Sequence, residues 1–162
     1  MNQETKLVEE LIKQNWHIAF AESCTGGLAA AQLINVPNAS YVLNASFITY
    51  SNESKIKYLG VSNDTIIKHG VVSNEVALEM ALGVAKETNS EVGVGISGIA
   101  GPAGATETKP VGMVSFGFVI GSKNFAITKQ FGNIGRQEVR KASVNFVYET
   151  LLEIIQRESN VN

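Results

Sequence analysis

The stretch from His17 to Leu33 constrains the fold of this chain more than any other. His17-Ile18-Ala19-Phe20-Ala21 has the apolar character of a short buried strand. Glu22-Ser23-Cys24-Thr25-Gly26-Gly27 is polar and glycine-bearing, and Leu28 to Leu33 is a run of small helix formers. Strand, polar turn and helix in that order make sites in α/β proteins, because helix N-termini present free backbone N–H groups there.

The remaining pattern extends this unit. Residues 3–14 place Leu7, Val8, Leu11 and Ile12 on one helical stripe. Pro37-Asn38 breaks the helix ending near Leu33, and Tyr41 to Tyr50 has the pattern of a second strand. Ser62 and Ser73 stand where N-caps of two further helices belong, the first ending at His69-Gly70, the second carrying Val76, Met80 and Val84 on one face. Glu91 to Ile96 alternates valine with glycine, as a strand does where another backbone comes close. Ser97 to Lys109 is a glycine-rich loop containing Pro102. Val111–Val119 and Phe125–Phe131 form a hairpin pattern around Gly121-Ser122-Lys123-Asn124. Val139, Ala142/Ser143, Phe146/Val147, Leu151 and Ile154/Ile155 recur with helical period and predict a long final helix. The order α–β–α–β–α–α–β–β–β–α predicts an α/β fold, a three-layer α/β/α sandwich on a mixed central sheet, with residues 1–162 as one domain.

At 162 residues the chain is long enough to bury a core, and its net charge of −2 leaves no basic stripe for nucleic acid. A nucleic-acid partner is therefore not expected. One cysteine excludes an internal disulfide. The polar N-terminus is unlike a signal peptide, and no run approaches the roughly 18 apolar residues of a membrane span. A soluble cytoplasmic protein without membrane association is expected.

Ser23 is the first candidate nucleophile. A helix start beside it can stabilise developing negative charge, and the amides of Cys24, Thr25 and Gly26 can form an oxyanion hole. The plainer alternative is that Ser23 or Thr25 only caps the helix, and Cys24 is a rival nucleophile. For a base there are His17, His69 or a lysine with a lowered pKa. Thr49-Tyr50-Ser51-Asn52-Glu53-Ser54-Lys55 offers a candidate in Lys55, and a strand ending at Tyr50 would put Tyr50 and Lys55 at the same end of the sheet as Ser23. Gly98, Gly101 and Gly104, with Thr106, belong to a loop suited equally to a ligand or to tight turns; it has neither the Walker A ending nor the dinucleotide spacing. Arg136 and Arg140 open the last helix, where they either grip a phosphate or lie solvated. No His/Cys/Asp/Glu set has metal-ligand spacing, so neither metal nor cofactor is expected.

Together these segments resemble the CinA carboxy-terminal domain family, the nicotinamide mononucleotide deamidases. The matching residues are Ala21-Glu22-Ser23-Cys24-Thr25-Gly26-Gly27, Tyr50-Ser51-Asn52 with Lys55, His69-Gly70-Val71-Val72-Ser73, and Ser97-Gly98-Ile99-Ala100-Gly101-Pro102 through Thr106 to Lys109-Pro110-Val111-Gly112. The likeness runs from about residue 5 to 157. Ala103 and Ala105 stand where the family usually has glycine, and Gly132-Asn133-Ile134-Gly135-Arg136 blurs its usual Gly-Asp/Asn-Arg stretch.

The resemblance implies an amidase in its stand-alone form. It would hydrolyse nicotinamide mononucleotide to nicotinic acid mononucleotide and ammonia in pyridine nucleotide (NAD) salvage. Ser23 would be the nucleophile and Lys55 its base, with Tyr50 relaying the proton or orienting the lysine. Cys24, Thr25, Gly26, Gly98, Gly101, Gly104, Thr106, Arg136 and Arg140 would contact the substrate. The expected partner is this small pyridine nucleotide, together with further copies of the chain, a dimer first. The alternative is a non-catalytic nucleotide-sensing or competence-related module on the same fold.

Overall fold

The computed structural model describes residues 1–161. The domain expected over 1–162 thus ends one residue outside the described range. Helix α1 (Gln3–Gln14) starts at Asn2, whose side chain accepts the Thr5 N–H, and stops at Asn15 in the left-handed region. Strand β1 (Ile18–Glu22) follows, then α2 (Leu28–Leu33), β2 (Phe47–Ile48), α3 (Asn52–Leu59), α4 (Asn63–His69) and α5 (Asn74–Thr88). Three strands, β3 (Val92–Gly98), β4 (Met113–Ile120) and β5 (Lys123–Gln130), precede α6 (Arg136–Val161).

The sheet order is β2-β1-β3-β4-β5, parallel across the first three strands and antiparallel across the rest. This is the mixed sheet the sequence predicts. Ile18 and Phe20 point into a core shared with α1, α2 and α6, while Ala19 and Ala21 face α3 and α5. Helices therefore cover both faces, as the three-layer expectation requires. Among the described residues no helix is long and apolar enough to cross a membrane.

The two faces are packed differently. Val92, Val94 and Ile96 fill the α6 side, whereas Gly93 and Gly95 turn toward α5. A Cβ on Gly95 or Gly117 would run into the carbonyl oxygen of Ala77, and one on Gly93 into that of Ala81. Helix α5 therefore lies in backbone contact with the sheet. The Val-Gly alternation is the sequence mark of that approach.

Two expectations need correction. The strand expected over Tyr41–Tyr50 is instead a 3-10 turn at Ala39–Tyr41, a single bridge from Leu43 to Ile18, and the two-residue β2. The Ser46 hydroxyl accepts the Phe20 N–H at 2.9 Å, taking a bond that a continuous strand would have supplied from its backbone. Helix α3 was not expected at all. Ser51 and Ser54 cap its start reciprocally, and Gly60 ends it at φ 70°. Its inward positions are Lys55 and Leu59, so a lysine interrupts the apolar stripe that would have announced it. Ser73 caps α5 through the Val76 N–H, as expected. Ser62 precedes α4 without a side-chain cap; its own N–H donates to Glu79.

Candidate active site

Strand β1 pairs with β2 on one side and β3 on the other, so the crevice past its carboxyl end is a topological switch point. Ser23 stands there, its N–H donating to the Ile96 carbonyl at 3.1 Å. A cavity of about 620 Å³ opens over it. The walls come from the end of β2, from α3, from the α4–α5 link and from the loop after β3.

Lys55 reaches Ser23 from α3. Its Nζ donates to Ser23 Oγ at 3.0 Å and to the Thr49 carbonyl at 2.6 Å, and the residue is 1% exposed. Burial penalises the ammonium and lowers its pKa from 10.5 to about 8. A lysine at about 8 is neutral in roughly one molecule in ten at pH 7, some 300 times the fraction of an ordinary lysine. The Ser–Lys pair thus lies at hydrogen-bonding distance, and burial shifts the lysine toward the neutral form that a base must have.

The rival groups are less well placed. Cys24 is 7% exposed, and desolvation pushes its thiol up to about 11, so it stays protonated near neutrality. His17 precedes β1, at the end opposite Ser23, and its N–H donates to Glu91. His69 lines the cavity, with Nδ1 3.7 Å from Glu75 Oε1; no hydrogen bond joins it to Ser23.

The turn after Ser23 differs from expectation in two respects. The Gly26 N–H donates to the Ser23 carbonyl at 3.1 Å, which removes it from an oxyanion hole. The start of α2 lies five residues beyond Ser23, and its amides at Ala29 and Ala30 are taken by the Glu22 carboxylate. Among the described residues the N–H groups of Cys24 and Thr25 donate to no backbone carbonyl, which leaves those two as the candidate donors of the turn. The hydroxyls of Thr25 and Thr49 are buried without partners.

Of the residues expected to contact a substrate, Cys24, Gly98, Gly104, Thr106 and Arg136 line the cavity with Ser23, Tyr50 and Lys55. Thr25, Gly26, Gly101 and Arg140 do not. Arg140 turns inward instead, donating from Nε to the Cys24 carbonyl at 3.0 Å and from Nη2 to the Thr25 carbonyl at 3.2 Å. Tyr50 is likewise apart from Lys55: its hydroxyl accepts from Arg136 Nη2 at 3.0 Å, and Arg136 Nη1 donates to the Gly101 carbonyl at 2.9 Å. Thr106 closes a local turn, its Oγ1 accepting the Lys109 N–H.

Lys109 also lines the cavity, and the sequence reading gave it no role. Its Nζ donates to the His69 carbonyl at 2.6 Å and to that of Val72, tying the α4–α5 link to the glycine-rich loop. A Cβ on Gly70 would stand 2.6 Å from that Nζ, so the glycine and the lysine go together. Lys55, Lys68, Lys109 and Arg136 line the cavity without a single carboxylate, although the chain as a whole is acidic. Such a wall suits an anion. Among the described residues no three His, Cys, Asp or Glu side chains group to hold a metal ion.

The comparisons agree with this architecture. A CinA-like protein from Petrotoga mobilis is 42% identical over 154 residues, covering 95% of this chain and 38% of that protein. One from Chloroherpeton thalassium is 45% identical over 152 residues, covering 89% of this chain and 36% of that protein. The chain thus spans little more than a third of the length of these curated relatives. Among solved structures, a competence-damaged protein (CinA) superfamily protein from Escherichia coli superposes with a TM-score of 0.91 at 31% identity, covering 94% of this chain and 88% of that one. A competence/damage inducible protein from Agrobacterium tumefaciens gives 0.86 at 34% identity, covering 94% and 96%. The profile of the CinA C-terminal domain matches residues 1–155, and the chain belongs to that family.

Proposed function

We propose that this chain is an amidase that hydrolyses the carboxamide of nicotinamide mononucleotide, giving nicotinic acid mononucleotide and ammonia. The observation that carries the reading is the buried Lys55 Nζ 3.0 Å from Ser23 Oγ at the base of a cation-lined cavity. The resemblance of the motifs to the deamidase family supplies the substrate.

Neutral Lys55 takes the hydroxyl proton as Ser23 Oγ attacks the carboxamide carbon. Thr49 holds the amine in place by accepting one of its N–H groups, which leaves the lone pair for Ser23. The amides of Cys24 and Thr25 meet the oxyanion; losing one such donor in a hydrolase costs about 3 kcal/mol of barrier. Lys55 then returns the proton to the departing nitrogen, and water, deprotonated by the same amine, cleaves the acyl-enzyme. The phosphate lies against the cationic wall.

The test is a coupled ammonia assay with nicotinamide mononucleotide on the wild-type chain and on Ser23→Ala. Ammonia release by the first and none by the second is expected, with substrate binding retained in the variant. A chain that binds the nucleotide and releases no ammonia would be a sensor, and the amidase reading would fall.

A further inference from the structure

Glu22 is fully buried beside the nucleophile, yet the chemistry above does not use it. Its carboxylate oxygens accept the N–H groups of Ala29 at 2.9 Å and Ala30 at 3.1 Å, in the first turn of α2. The turn Ser23–Gly27 is thereby closed by one side chain reaching from the strand before it to the helix after it. Tyr148, also buried, donates from Oη to the Ala29 carbonyl at 2.7 Å and holds the same turn of α2 against α6.

The backbone of Glu22 serves the other half of the pair. Its carbonyl accepts the Thr49 N–H at 2.9 Å, and the Thr49 carbonyl is the oxygen that holds Lys55 at 2.6 Å. Side chain and main chain of one residue thus connect the segment bearing Ser23 with the segment bearing Lys55. An apolar residue at this position would leave two α2 amides unsatisfied in a dry core, and the turn would have to move to find acceptors.

We propose that Glu22 is a positioning residue that sets the approach of Ser23 to Lys55, an inference that rests on the Ser–Lys reading above. Glu22→Gln isolates the effect. Glutamine keeps the size but offers one acceptor oxygen, and its NH2 then faces an N–H donor. A displacement of about 1 Å in such a site costs up to about a hundredfold in rate. The variant is expected to stay folded, to keep KM within about twofold because Glu22 does not line the cavity, and to lose roughly tenfold to a hundredfold in kcat.

Phosphonylation of Ser23 by a fluorophosphonate, followed by intact mass, measures the same activation without reference to the natural substrate. It should slow by the same factor as kcat. Labelling of Glu22→Gln at the wild-type rate would overturn the inference. If Glu22→Gln does not fold, Glu22→Asp serves: one methylene shorter, it cannot reach both amides unless the turn shifts. Unchanged labelling in Glu22→Asp would equally overturn the proposal. A wild-type chain labelled at Ser23 but inert toward nicotinamide mononucleotide would remove the substrate reading alone. A wild-type chain not labelled at all would remove the activated serine, and the role of Glu22 with it.

Discussion

Thr49 presents its carbonyl oxygen to Lys55 Nζ at 2.6 Å, so the lysine is aimed by backbone and not by the phenol one residue further on. Tyr50 is 63% exposed and hydrogen-bonded to Arg136. Tyr50→Phe should therefore leave kcat within about threefold, and any effect should appear in KM as Arg136 loosens; a hydrogen bond to a charged group contributes about 1.5–3 kcal/mol. A kcat loss of a hundredfold in steady-state kinetics would return Tyr50 to the proton path.

On the proposed mechanism Lys55 must be neutral to act as a base, and burial lowers its pKa to about 8. kcat/KM should rise about tenfold per pH unit up to that value and level off above it. Lys55→Arg should be inactive at every pH, because guanidinium does not deprotonate in a protein. A flat pH–rate profile between pH 6 and 9 would exclude the lysine as base.

The same shift makes a stability prediction. Between about 8 and 10.5 the unfolded chain binds more protons at this lysine than the folded one, so stability from this group rises with pH through that window. Below about 8 the full penalty is present, on the order of 3 kcal/mol. Lys55→Met removes it. The variant's Tm, relative to wild type, should be several degrees more favourable at pH 7 than at pH 10.5, at roughly 2–4 °C per kcal/mol. A Tm difference that does not vary with pH in calorimetry would mean that Lys55 titrates normally.

Arg136 and Arg140 are placed differently, one on the cavity wall and one against the turn after Ser23. Arg136→Ala should erode the preference for the mononucleotide over the riboside by about tenfold in kcat/KM, since it lines the cavity. Arg140→Ala should leave that ratio unchanged while lowering kcat and Tm, because it frees the carbonyls of Cys24 and Thr25. Kinetics on both substrates decide it, and a lost preference in Arg140→Ala would reverse the assignment.

The proposed mechanism uses the N–H of Cys24 and not its thiol. With burial holding its thiol near 11, iodoacetamide should modify the folded protein slowly at pH 7, and Cys24→Ala should keep activity within a few-fold. Loss of all activity in a folded Cys24→Ala would move the nucleophile to the thiol.

The sequence announced most of the architecture because most elements bury a periodic apolar face. The outer helices α1 and α6, the cap at Ser73 and the β4–β5 hairpin followed from that rule. It failed where a polar group stands in for an apolar one. Ser46 takes a ladder bond and breaks the strand expected over Tyr41–Tyr50, and Lys55 occupies the core-facing position of α3. The second failure lies at the candidate site itself, where function overrides the pattern. Ser23 was legible from its place between strand and helix, and Lys55 as one candidate base among several that the motif likeness then singled out. The inward turn of Arg140, the Glu22 clasp and the Lys109 strut depend on contacts between segments 7 to 116 residues apart, which spacing along the chain does not reveal.

Helix α5 meets the sheet through glycine and alanine, while the other face is filled with large side chains. The cavity wall at Gly70–Val72 runs directly into the cap of that helix. A larger ligand on this side cannot be accommodated by trimming the strands beneath α5, because Gly93, Gly95 and Gly117 carry no side chain there; nor can the helix come closer. Substrate range is therefore adjustable in the β3–β4 loop and at α3, whereas the α5 side acts as a fixed gauge against which any change in the opposite wall is measured.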